Sequence, residues 1–158
     1  MTSQAKATEL YRLTRSYLVM SPIVLVATTT FFVLVVDNRT FWSIGSDIFK
    51  DQTLAFVGIV TALYFLTLAV FSLFALPWIV KPFAIFILIL SSISSYYMDN
   101  LGVFIDREMV QNVMVTTVTE SKHLITLSFV THVLSFGILP SLVVLAIKIK
   151  NQRKLATF

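Results

Sequence analysis

Asn112, Thr116 and Glu120 lie four residues apart in a polar stretch between two long apolar runs. On a helix, each step of four turns the side chain by about 40°, so the three share one narrow face within about 12 Å. An amide, a hydroxyl and a carboxylate gathered there, at a membrane border, make a pocket for a small cationic group. The run 113–119 is β-branched and by propensity alone favours a strand. In a strand the three residues would spread over about 26 Å, too far to meet one small ligand. A helix is therefore expected, with Asp106 as its cap and Glu108 in its first turn. His123 sits close to Glu120 and is a lesser member of the same polar group.

The elements that must position this stretch are apolar. The chain has 158 residues, 57% of them hydrophobic, and a mean hydropathy of +0.88, which excludes an ordinary soluble domain. Apolar stretches cover 17–36, 53–76, 83–98 and 124–147. Each approaches the roughly 20 residues needed to cross a bilayer, the third being short at 16. The first closes on Val35, Val36, Asp37 and Asn38 without a small-residue cleavage site, so it reads as a retained span. The expected fold is all-α, a polytopic bundle of four transmembrane helices with a helical periplasmic connection.

Residues 1–16 mix Glu9, Arg12 and Arg15 with Leu10, Tyr11 and Leu13, the pattern of a cytoplasmic interfacial amphipathic segment. Ser21-Pro22 is expected to bend the first span. Residues 37–52 and 99–123 read as periplasmic loops, the former anchored at the interface by Phe41 and Trp42. The Asn38-Arg39-Thr40 triplet fits a glycosylation pattern that chance readily supplies. The serines of Ser91-Ser92-Ile93-Ser94-Ser95 suit close helix packing better than a polar lining, and His132 in the last span suits a structural hydrogen bond.

Charge gives the topology. The two ends and the 77–82 turn carry eight cations against one acid, whereas the other two connections carry four against seven. Counting basic residues places both ends of the chain in the cytoplasm of a bacterial inner membrane. The basic balance thus reports contact with anionic lipid, not with nucleic acid. There is no cysteine and there are only two histidines, so a zinc site is hard to build from these residues, and neither a metal nor another cofactor is expected in this chain.

The run Tyr96-x-x-Asp99-x-x-Gly102-x-x-x-Asp106, followed by Gln111-Asn112-x-x-x-Thr116-x-x-x-Glu120, resembles the membrane domain of bacterial phosphoethanolamine transferases. That family modifies lipid A and confers polymyxin resistance. The resemblance covers about 26 residues, and the flanking spans agree in order and length. It implies that Asn112, Thr116 and Glu120 bind the headgroup of the donor, phosphatidylethanolamine, with Tyr97, Asp99 and His123 in support. A carboxylate can pair with the ethanolamine ammonium, while the amide and hydroxyl can donate to phosphate oxygens.

Members of the family have a fifth span and a large periplasmic domain with a threonine nucleophile and zinc. Here Phe158 follows the fourth span, so the chain reads as an N-terminal portion whose partners are membrane lipid, lipid A as the whole enzyme's acceptor, and its own catalytic domain. Two other functions compete: a self-contained small transporter, which needs polar groups running through the bundle, and an assembly subunit, which needs a free face of small residues.

Overall fold

The computed structural model describes residues 19–102, 111 and 125–150. The chain enters through β1 (Val19–Met20) and rises in α1 (Pro22–Val35). It then turns by 63° into α2 (Arg39–Ile48) and descends in α3 (Thr53–Ser72). It rises again in α4 (Val80–Leu101) and returns in α5 (Leu127–Ala146), leaving through β2 (Lys148–Ile149). The result is a helical membrane bundle. Among the described residues α3, α4 and α5 are each long and apolar enough to cross a bilayer, and the bent pair α1–α2 would supply a fourth span.

Pro22 begins its helix instead of bending it. Ser21 is the cap, its Oγ accepting from the Val24 N–H at 3.4 Å, and the proline takes the first helical position, where no donor is needed. Pro82 is likewise harmless in the first turn of α4. That helix stops at Gly102, whose φ of +61° is the left-handed conformation glycine adopts without penalty.

Residues 39–48, read as loop from the sequence, are helical. Asn38 donates Nδ2 to the Val33 carbonyl at 2.8 Å, and the Trp42 indole donates to Leu34 at 3.0 Å. Both satisfy carbonyls left open at the end of α1. One face of α2 then lies on the start of α3, with the Phe56 ring packed on Gly45 and stacked on Phe49 at 5.7 Å. A ten-residue helix of mixed composition is held by these contacts more than by propensity.

α3 buries none of its residues and exposes Leu54, Phe65 and Leu66. A helix apolar on every face has lipid as its solvent. Hydroxyls inside the spans bond to their own backbone, as Thr29 does to Leu25 and Thr30 to Val26, both at 2.9 Å. This device pairs these hydroxyls without a partner helix or water.

The core lies toward the β1/β2 end: Leu25 and Val26 of α1, Val80, Ala84 and Leu88 of α4, then Val144 and Ile147. There β1 and β2 pair in parallel, Val19 opposite Lys148 and Met20 opposite Ile149. Higher up, α5 is wound as a π-helix over Val133–Ile138, one turn before Pro140, which cannot donate to the Phe136 carbonyl. Gly137 in this segment presses against Ser92 and Ile89 of α4, where an added Cβ would lie 3.4 Å from the Ile89 Cα and overlap the Ser92 hydroxyl. Ser92 is fully buried in that contact, the packing role expected for the serine cluster.

Candidate functional site

At the end of the bundle opposite β1/β2, one carboxylate ties two helices together. Asn38 does not cap α2 with its side chain. Asp99, on the last turn of α4, does so instead: its Oδ1 accepts from the Thr40 backbone N–H at 3.2 Å and from the Thr40 hydroxyl at 2.6 Å. Its Oδ2 accepts from Ser95 at 3.3 Å. A negative charge at a helix N-terminus is favoured by the helix dipole as well as by these bonds. Asp99→Ala is expected to free α2 at a cost of about 2–3 kcal/mol, seen as faster amide exchange over 39–48, whereas Asp99→Asn keeps an acceptor and most of the protection.

Around this tie is an open cavity of about 400 Å³. Arg39, Thr40 and Ser43 of α2 form one wall, Tyr96, Asp99 and Asn100 of α4 the second, and Ser128 and His132 of α5 the third. The Tyr96 hydroxyl bonds to Thr126 at 2.9 Å, fixing the start of α5 against α4. Asn100 donates to the Tyr96 carbonyl at 3.0 Å. The His132 ring packs between Tyr96 and Phe136, with centroids at 5.6 and 4.7 Å, and its Nε2 meets no protein partner among the described residues. The lining therefore offers a cation, a carboxylate, four hydroxyls, an amide and an imidazole. Such a surface suits a ligand carrying both charges.

Asp37 lies beside this region, between α1 and α2, and is 4% exposed. Among the described residues, no donor meets either carboxylate oxygen with hydrogen-bond geometry.

Asn112, Thr116, Glu120 and His123 lie outside the described residues. Of the supporting residues, Asp99 is central to the cavity, while Tyr97 packs on Tyr96 and Phe129 and is not among the lining residues. Sequence reasoning missed Arg39, Thr40, Ser43, Tyr96, Asn100 and Ser128. Two signals were present: the resemblance run that opens on Tyr96, and the Asn38-Arg39-Thr40 triplet, read as a glycosylation pattern; its Asn38 and Thr40 side chains are both spent on internal hydrogen bonds. No three His, Cys, Asp or Glu side chains converge among the described residues, so these residues do not fit a zinc ion.

Residues 63–158 match the phosphoethanolamine transferase EptA/EptB family. The chain is 32% identical over 133 residues to the phosphatidylethanolamine transferase Mcr-1 of Escherichia coli, covering 82% of this chain and 25% of that protein. It is 29% identical to Mcr-2 of the same organism over 132 residues, or 82% and 24% of the two chains. Its fold matches the integral membrane lipooligosaccharide phosphoethanolamine transferase A of Neisseria meningitidis with a TM-score of 0.73 and 28% identity, over 82% of this chain and 25% of that one. The chain thus spans about a quarter of the length of the relatives it matches.

Proposed function

This chain belongs to the phosphoethanolamine transferase EptA/EptB family, corresponding to its N-terminal membrane domain, and from that premise we propose that it anchors a transferase in the inner membrane and holds the headgroup of its donor, phosphatidylethanolamine. The observation that carries this reading is the mixed-charge cavity at one end of the bundle. The segment bearing Asn112, Thr116 and Glu120 leaves α4 at Gly102 and rejoins the described chain at Ile125, next to the residues that bound that cavity.

In this reading Glu120 pairs with the ethanolamine ammonium, while Asn112 and Thr116 donate to phosphate oxygens. The attacking threonine and its zinc belong to a further domain of the kind the relatives' length accommodates, and the acceptor is a phosphate of lipid A. The basic residues Lys81, Lys148 and Lys150 share the β1/β2 end, supporting its cytoplasmic placement. A transporter is less well supported, because among the described residues the bundle is closed toward its β1/β2 end by Leu25, Ala84, Leu88 and Val144.

The test is substitution in the protein as its own gene encodes it. Glu120→Ala and Asn112→Ala are expected to lower modified lipid A by roughly 100-fold, measured by mass spectrometry, with unchanged protein in the membrane. Undiminished modification in both variants would overturn the headgroup assignment.

A further inference from the structure

We propose that Asp37 and Asp99, with the Ser91 and Ser95 hydroxyls, form a site for a hard divalent cation that fastens the α1–α2 corner to α4. The site is separate from the 112–120 stretch and independent of the donor-lipid reading.

The sequence spaces three oxygen-bearing side chains of α4 four residues apart, Ser91, Ser95 and Asp99, so they follow one face of that helix. The α1–α2 corner lies against this face. Thr40 donates to Asp99 from the start of α2, and Ser95 donates to it from one turn earlier on α4. Asp37, three residues before Thr40, is thereby brought beside Ser91 and into the field of Asp99. Asp37, Ser91 and Ser95 are not among the residues lining the cavity, where Arg39 and His132 lie.

What this cluster lacks is positive charge. Asp37 is 4% exposed, and neither of its carboxylate oxygens has a hydrogen-bond partner among the described residues. The Ser91 hydroxyl stands near it without reaching hydrogen-bond geometry. No ion pair among the described residues involves Asp37 or Asp99. A buried carboxylate without a counter-charge is among the costliest groups a fold can hold, and a second carboxylate close by adds to the cost. A divalent ion cancels both charges at once. Every group offered is oxygen, the donor set of calcium and magnesium and not of zinc. Calcium also tolerates an irregular shell shared between carboxylates, hydroxyls and water. A proton on Asp37 would relieve one charge only, and would leave the chain indifferent to calcium.

The test is thermal unfolding of the full chain in an uncharged detergent and metal-free buffer, with calcium as the probe. Calcium at about a hundredfold excess over its dissociation constant should raise the midpoint by roughly 5 °C or more. It should also slow amide exchange over 39–48. Asp37→Asn should abolish the calcium shift. Without calcium that variant is the more stable of the two chains, so a lost shift does not reflect misfolding. Ser91→Ala should weaken calcium binding about tenfold by isothermal titration. Asp47→Asn, on an exposed acid of α2, should keep the full shift. A wild-type midpoint unmoved by calcium would overturn the proposal. So would an equal shift in Asp37→Asn, or an equal shift from potassium chloride at the same ionic strength.

Discussion

Replacing Gly137 by leucine is expected to cost about 3 kcal/mol or more and to leave little folded protein in detergent extracts, measured by size-exclusion recovery and thermal unfolding. The reason is local and steric. α4 and α5 approach closely where Gly137 faces Ser92 and Ile89, and a Cβ at 137 would already stand 3.3 Å from the Ser92 Cβ and 3.4 Å from the Ile89 Cα. Alanine needs only a small shift and a new Ser92 rotamer, so Gly137→Ala should be mild and Ser92→Ala should soften it further. Leucine has no such escape, because backbone blocks it. If the leucine variant unfolds at the wild-type temperature, the close approach of α4 and α5 is wrong.

Asp37→Asn is expected to stabilise the chain by about 2–3 kcal/mol. Asp37 is buried between α1 and α2, and among the described residues neither carboxylate oxygen meets a donor with hydrogen-bond geometry. Asparagine removes the charge and can donate its amide to Ser91. Thermal unfolding of both proteins checks this: a variant no more stable than the wild type would mean the buried charge is compensated by a partner.

The bundle was legible because its signal is long and cumulative. Runs of apolar residues mark spans whatever their neighbours do, and the all-helical membrane fold follows from bilayer thickness. What failed to show was short or non-local. α2 reads as loop in the sequence because ten residues of mixed type carry too little periodicity, and its supports at Val33, Leu34 and Asp99 are distant or unremarkable in the sequence. Pro22 looked like a kink inside a span, yet the span's helix starts there. The cavity was invisible for a related reason: its walls come from residues near 40, 100 and 130, and no single window contains them. Asp99 was reached through the family resemblance, not through its geometry. The π-helical turn in α5 left only Gly137 and Pro140 as traces, neither of which specifies a register.

The pairing of β1 with β2 has a consequence for biosynthesis. Val19 meets Lys148, a partner 129 residues later, and Leu25 and Val26 share a core with Val144 and Ile147. At roughly 5–20 residues per second, the ribosome needs about ten seconds or so to make that stretch. Throughout that interval the first span sits in the membrane with one flank bare, and no local contact can substitute. Completion of this core thus waits for α5, and a nascent chain stalled before residue 144 would present the Leu25–Val26 flank to membrane quality control.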